Sequence, residues 1–237
     1  FSDEFIWASS ELYATTRDGQ YKSAVNLFPD VGMPVPSWNQ VRLLGYYTLA
    51  RLKQPPADFQ SVAEDLKRRI LEKADGMVSH VGHHAYATVM GATPRDFVWG
   101  SSSVAANQGI LLIQAFRLSG DKKYLNFALS NLDYLLGRNA TGYSFLTGYG
   151  SKTPMHIHHR PSEADGVVEP VPGLLSGGPN PGMQDKCKYT SSIPDEAFTD
   201  DVCSYASNEI AINWNAPLVY LAGAIEALQF EAGYVKK

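Results

Sequence analysis

Phe198-Thr199-Asp200-Asp201-Val202-Cys203-Ser204-Tyr205-Ala206-Ser207-Asn208-Glu209-Ile210-Ala211-Ile212-Asn213-Trp214-Asn215-Ala216 is the most informative stretch of the chain. Glu209 lies among apolar neighbours, four positions after Tyr205. A carboxyl group in such surroundings keeps its proton more readily, and a general acid working near neutral pH needs that. The plainer reading is a Glu that caps a helix or joins an ion pair, as most Glu residues do. Read alone, the stretch leaves both open. A helix follows it, from Ala216 to Phe230, apolar enough to be buried.

Upstream of this stretch runs a segment of about 70 residues, from Gly137 to Asn208, with little periodicity. Loops longer than about 15 residues inside a compact domain are usually functional or disordered. This one mixes Gly, Pro, His, Arg and aromatic residues, the composition of an active-site surround. Thr147-Gly148-Tyr149-Gly150-Ser151-Lys152 leads to His156-Ile157-His158-His159-Arg160. The histidines, with His80, His83 and His84, invite a metal reading. A first-row metal wants three or four converging ligands, commonly with a Cys or carboxylate at suitable spacing, and none lies nearby. His158 and Arg160 point the same way in extended chain, which suits two donors gripping sugar hydroxyls. Gly177-Gly178-Pro179-Asn180-Pro181 is a turn cluster and says only that the chain bends there.

Cys187 and Cys203 lie in the same loop-rich region. Two reduced thiols are one reading. A disulfide is the other; it would hold the surroundings of Glu209 still and would require an oxidising compartment.

The rest of the chain reads as helices. Ser2 is placed to cap the first, with Asp3 and Glu4 in its first turn, where carboxylates favour the positive end of the dipole. Phe5, Ala8 and Leu12 would share its buried face, and Arg17-Asp18-Gly19 would stop it. Pro34-Val35-Pro36-Ser37 leads into a second helix with Val41, Leu44 and Leu49 inside. Phe59, Val62, Ala63, Leu66 and Ile70 keep the i, i+3, i+4 rhythm. Asn107 to Leu118 and Lys122 to Leu136 add two more, and Val78 to Ser103 reads as a second long loop. Strand signals are thin: no run of β-branched residues alternates with polar ones. Apolar positions on more than one helix face suit a two-layer barrel better than an isolated bundle.

Bulk properties narrow the partners. With 20 Lys and Arg against 24 Asp and Glu the net charge is only −4, and no basic run marks a nucleic-acid or anionic-membrane surface. No apolar stretch reaches the roughly 18 residues that would span a bilayer. The opening Phe1-Ser2-Asp3-Glu4-Phe5-Ile6-Trp7-Ala8 has neither the basic start nor the apolar centre of a signal peptide, so the chain reads as a piece of something longer, cut just before a helix.

Taken together these segments resemble glycoside hydrolase family 9, the family of many cellulases. One family signature is the Thr-Gly-aromatic-Gly … His-x-Arg segment, present as Thr147 to Arg160. The other has the spacing aromatic-x-Asp-x4-aromatic-x3-Glu-x-small-x3-Asn-small. Phe198, Asp200, Tyr205, Glu209, Ala211, Asn215 and Ala216 fill every fixed position of it. Trp99-Gly100-Ser101, Leu135-Leu136-Gly137-Arg138-Asn139 and Gly177-Gly178-Pro179-Asn180 echo the family as well, so the likeness covers nearly the whole chain.

The resemblance implies an all-α (α/α)6 barrel, a toroid of which residues 1–237 supply about the C-terminal half of one catalytic domain. It implies a cleft for β-1,4-glucan and inverting hydrolysis, with Glu209 as the acid. His158 and Arg160 match the pair that grips the sugar, and Tyr205, Trp99 and Asp200 match further cleft positions. Asp3 and Glu4, with Asn39 after Trp38, stand where relatives bind a structural Ca²⁺. The family's base is an aspartate in an Asp-Ala-Gly-Asp type of segment, which does not occur in this sequence. The expected partner is therefore the N-terminal half of the same domain, and the expected location is extracellular. Mixed-linkage glucan, xyloglucan, short oligosaccharides attacked from one end, and a purely carbohydrate-binding helical module are the alternatives.

Overall fold

A computed structural model describes residues 1–28 and 32–236. Six long helices dominate: α1 (Ser2–Thr16), α3 (Arg42–Ala50), α4 (Gln60–Val78), α5 (Ser101–Ser119), α6 (Lys122–Leu135) and α9 (Ile212–Ala232). Three short ones lie between them, α2 (Gly19–Ser23), α7 (Arg160–Ala164) and α8 (Tyr205–Asn208). Among the described residues no strand forms, and extended pairing is limited to isolated bridges. α5 is the hub. It packs on α4, α6 and α9, while α1 packs on α3, which in turn meets α4.

Burial explains the hub. Nearly every residue of α5 from Ser101 to Phe116 is buried, as expected of a helix surrounded by others. Its small residues Ala105, Ala106 and Ala115 are fully enclosed and let neighbouring helices approach. Leu66 and Ile70 of α4 and Leu125 and Leu135 of α6 close the core around it. At roughly 25 cal/mol per Å² of apolar surface removed from water, this cluster is the main source of stability.

Several helix boundaries and faces differ from the sequence expectation. α1 is capped at Phe1 without a side-chain bond, and Ser2 lies inside the helix. Its buried face carries Ile6, Ser10 and Tyr13, whereas Phe5 and Leu12 are 63% and 43% exposed. Residues i, i+3 or i+4 and i+7 form a stripe, and Ile6-Ser10-Tyr13 is the buried one; Ser10 lies against Gly45 of α3 and Tyr13 packs on Phe59. Arg17 does end α1, in the left-handed region, and Asp18 then caps α2 by accepting from the Gln20 amide. α5 starts at Ser101 rather than near Asn107, because the Ser102 amide donates to the Gly177 carbonyl at 2.9 Å and anchors the first turn. α9 starts at Ile212 rather than Ala216. The Trp214 and Asn215 amides donate to the Ala211 carbonyl and wind the first turn, and the helix continues through Pro217.

The long loops are ordered by buried polar anchors. Asn131, fully buried on α6, accepts from the Val89 and Met90 amides at 3.0 and 3.1 Å. Its own amide group donates to the Ala105 carbonyl and to Gln108 Oε1. All its capacity is used, and the loop leading to Trp99 is thereby tied to α5 and α6. An open cavity of about 560 Å³ lies between α1, α3, α5 and α9, lined in part by Trp7, Tyr47, Gln114 and Tyr220.

Candidate active site

The loop segments meet above the first turn of α5. Residues 174–178 run at the centre. The Ser176 amide donates to the Phe145 carbonyl at 2.9 Å, and the Thr147 amide to Leu174 at 3.0 Å. On the other side the Gly177 amide donates to the Glu209 carbonyl at 3.0 Å and the Gly178 amide to Ser207 at 2.8 Å. Beyond that, the His158 amide donates to the Asn208 carbonyl at 3.0 Å, pairing His158 with Glu209 in a parallel bridge. Glu209 is thus held through its backbone from two sides.

Its side chain faces a half-open surface. Glu209 Oε2 accepts from the Trp99 indole N–H at 3.1 Å. The Tyr205 ring lies between Trp99 and His158, with centroids 5.5 Å and 5.7 Å away. His158 Nδ1 is 2.8 Å from the Val202 carbonyl. A carbonyl only accepts, so Nδ1 carries a proton, and Nε2 is left without a hydrogen-bond partner among the described residues. Arg160 is exposed at the start of α7, and its guanidinium makes no hydrogen bond or ion pair with any described residue. Of the residues singled out from sequence, Glu209, His158, Tyr205 and Trp99 are therefore brought together at one surface, with Arg160 two residues beyond.

Asp200, matched to a cleft position from sequence, also ties two site segments together. Its two oxygens accept from the Met155 and His156 amides, each at 2.8 Å, and from the Asn208 side chain at 3.2 Å. It pins the His156–Arg160 segment to the Glu209 segment from the protein side. Thr147 and Asn215 are also scaffold. Thr147 Oγ1 donates to the Val171 carbonyl at 2.7 Å and accepts from the Leu174 amide. Asn215 Oδ1 accepts from the Leu175 amide at 2.8 Å.

Other contributors carry no signal in the sequence. Asn208 donates to the His156 carbonyl at 2.9 Å. Asp185 accepts from the Ala206 amide and the Tyr189 hydroxyl, both at 2.8 Å, and Tyr189 also reaches Ser207. Burial is the largest influence on that hydroxyl, and it pushes Tyr189 up, so it stays a neutral donor. Cys187 and Cys203 form a disulfide, Cα atoms 5.7 Å apart, that brackets this network and leaves neither sulfur as a thiolate for a metal.

The acidic end of α1 is separate. Burial pushes the Asp3 carboxyl up. The Val41 amide at 2.8 Å, with help from its other neighbours, outweighs that and holds it below the usual carboxylate range. Asn39 sits in the Ser37–Gln40 turn that leads to Val41, its Oδ1 accepting from Ser37 Oγ at 2.6 Å. Asp3, Glu4 and Asn39 all offer side-chain oxygens, the donor type a hard cation such as Ca²⁺ takes.

Comparison with known proteins points to one family. A family model described as glycosyl hydrolase family 9 matches residues 1–222. The chain is 41% identical over 232 residues to the xyloglucan-specific endo-beta-1,4-glucanase of Bacteroides ovatus, a span of 95% of this chain and 39% of that protein. It is 33% identical over 229 residues to endoglucanase D of Acetivibrio thermocellus, 94% of this chain and 34% of that protein. The solved structure of a Bacteroides ovatus family 9 enzyme superposes with a TM-score of 0.86 at 38% identity, over 96% of this chain and 40% of that one. The chain spans well under half the length of these relatives. Their fold is the all-α (α/α)6 barrel, and the six long helices form part of that toroid. Both signature segments lie within the matched residues and converge on Glu209: the chain belongs to glycosyl hydrolase family 9.

Proposed function

We propose that the protein carrying this chain is an inverting endo-β-1,4-glucanase in which Glu209 is the general acid. The observation that supports this best is the Glu209 carboxyl at a half-open surface, bonded to Trp99 and flanked by Tyr205 and His158. The acid gives its proton to the glycosidic oxygen as the bond to the anomeric carbon breaks. A water adds to that carbon from the opposite face, and its proton goes to a second carboxylate roughly 6.5–9.5 Å from the first. In this reading that base belongs to the N-terminal half of the domain. The same half is the proposed cover for the apolar residues exposed on α1 and α9, among them Phe5, Leu12, Ile212 and Val219. His158 Nε2 and the Arg160 guanidinium hold sugar hydroxyls from the near side. Trp99 and Tyr205 offer aromatic faces to the C–H faces of the rings.

A second substrate has one finding in its favour. The Bacteroides ovatus relative at 41% identity is named as xyloglucan-specific. Assaying the full-length protein on cello-oligosaccharides, carboxymethylcellulose and xyloglucan separates plain from branched glucan. Proton NMR of fresh product is expected to show the α-anomer first. Initial β-anomer would overturn the inverting mechanism on either substrate.

A Ca²⁺ at Asp3, Glu4 and Asn39 is part of the same proposal, as is an oxidising, extracellular setting in keeping with the disulfide. A chelator is expected to lower the thermal midpoint of the full-length protein, with recovery on adding Ca²⁺, and Asp3→Asn is expected to blunt that response. An identical chelator response in wild type and Asp3→Asn would place the ion elsewhere.

A further inference from the structure

We propose that Trp99 is the positioning residue of the acid: its indole N–H fixes the Glu209 carboxyl and sets how readily that carboxyl gives up its proton. This rests on Glu209 being the acid. It differs from a role for Trp99 as a sugar platform, since it acts through the ring nitrogen and not through the ring face.

The geometry closes on itself. The Ser102 amide donates to the Gly177 carbonyl at 2.9 Å, the Gly177 amide to the Glu209 carbonyl at 3.0 Å, and the Trp99 indole to Glu209 Oε2 at 3.1 Å. Trp99 is three residues before Ser102, on the lead into α5. Backbone and side chain of Glu209 are thus bonded to the same rigid helix start. Gly100 lies at φ 84, and a Cβ there would stand 2.6 Å from Trp214 Nε1, so the backbone beside Trp99 is seated directly on a buried ring. With Oε2 held by the indole, Oε1 is the oxygen left to carry the proton toward a substrate.

The chemistry of the donor matters. Ionisable groups on the segments around Glu209 are His156, His158, His159 and Arg160 on one side, Arg95 and Asp96 on the lead into α5, Tyr205 on α8, and Asp200 and Asp201 on the loop before it. The residue 176–178 segment and the first turn of α5 carry none. Among the described residues none of these groups hydrogen-bonds or ion-pairs with the Glu209 carboxyl, and the indole is its one hydrogen-bond partner. An N–H donor binds an ionised carboxylate more strongly than a neutral carboxyl. It therefore favours the state that Glu209 reaches after donating its proton, as the leaving oxygen departs. An indole has no ionisation of its own in the working range, so this preference is constant with pH.

The test uses the full-length protein with Trp99→Phe, which keeps an aromatic ring and removes the donor. The acid works while protonated, so the alkaline limb of the pH profile of kcat follows its ionisation. Without the donor the carboxylate is less favoured, and that limb is expected to move to higher pH by about half a unit to one unit. On cello-oligosaccharides kcat is expected to fall roughly three- to tenfold with KM nearly unchanged, and on a cellobiosyl fluoride, which needs little protonation, the fall is expected to be smaller. A raised KM with an unmoved limb would make Trp99 a sugar platform only and overturn the proposal. Equal losses on both substrates with an unmoved limb would do the same. Glu209→Gln, run in parallel, separates the premise from the inference. If that variant keeps its activity on cello-oligosaccharides, the acid assignment fails. If it is inactive while Trp99→Phe leaves the limb in place, only the role of Trp99 fails.

Discussion

Glu209→Gln in the full-length protein is expected to lower kcat on cello-oligosaccharides by about a hundred- to ten-thousandfold, the usual contribution of general acid catalysis. Glutamine keeps the shape of the side chain, and its amide oxygen can still accept from the Trp99 indole. The backbone bonds from Gly177 and to the His158 segment are untouched, so the fold and the sugar-binding surface are expected to persist. What is lost is the proton for the leaving oxygen. Two consequences separate this from structural damage. KM should change little, because the interaction removed matters in the transition state. The loss should shrink on cellobiosyl fluoride, whose leaving group departs without protonation. An equal loss on both substrates, or a collapsed thermal midpoint, would make Glu209 a structural residue.

The parts of this site that were legible in the sequence are those whose chemistry is local. Glu209, Tyr205 and His158 are visible as residue types at a spacing, and the structure brings them together with Trp99, which is 110 residues from Glu209 in sequence. Helices α4 and α6 follow from apolar periodicity, because their buried faces are set by their own residues, whereas α3 buries Leu43, Tyr46, Tyr47 and Leu49 and leaves the expected Val41 and Leu44 half-buried. The misses are tertiary. Phe5 and Leu12 of α1 look like core, yet the buried stripe is Ile6-Ser10-Tyr13, which nothing in α1 alone selects. The three serines opening α5 are poor helix formers, and they are helical because Gly177 accepts from Ser102. Asp200 shows the same limit in a functional residue. A loop carboxylate beside a catalytic signature reads as a cleft residue, and the fold adds that the Met155 and His156 amides bond to its two oxygens. Backbone donors are invisible in a sequence, so the distinction between touching substrate and holding the residue that does is made only by the fold.

The turn cluster Gly177-Gly178-Pro179, which by itself said only that the chain bends, becomes the point where a single methyl group should do the most harm. Gly178 lies at φ +86, a left-handed conformation that costs an L-residue about 1–2 kcal/mol. A Cβ there would stand 2.4 Å from Ser102 Oγ, 2.6 Å from Ser101 Oγ and 2.9 Å from the Ser102 backbone nitrogen. The serine hydroxyls have little room to turn away, since both residues are fully buried, and the backbone nitrogen belongs to the first turn of α5. Overpacking of a buried contact adds typically 1–3 kcal/mol. Gly178→Ala is therefore expected to destabilise the full-length protein by about 2–5 kcal/mol in denaturant titration. Gly173 is the internal control. It has nearly the same backbone, φ +83, but nothing within 4 Å of an added Cβ, so Gly173→Ala should show the conformational cost alone. Activity should separate the two variants further. Relieving the Gly178 clash means lifting the loop from α5, and that loop carries the Gly177 amide that holds Glu209 and the Gly178 amide that holds Ser207. Gly178→Ala should thus lose kcat even below its unfolding transition, whereas Gly173→Ala should keep it. Equal stability losses for the two alanines would mean that the serines of α5 do not support this loop, and that Glu209 is held by some other contact.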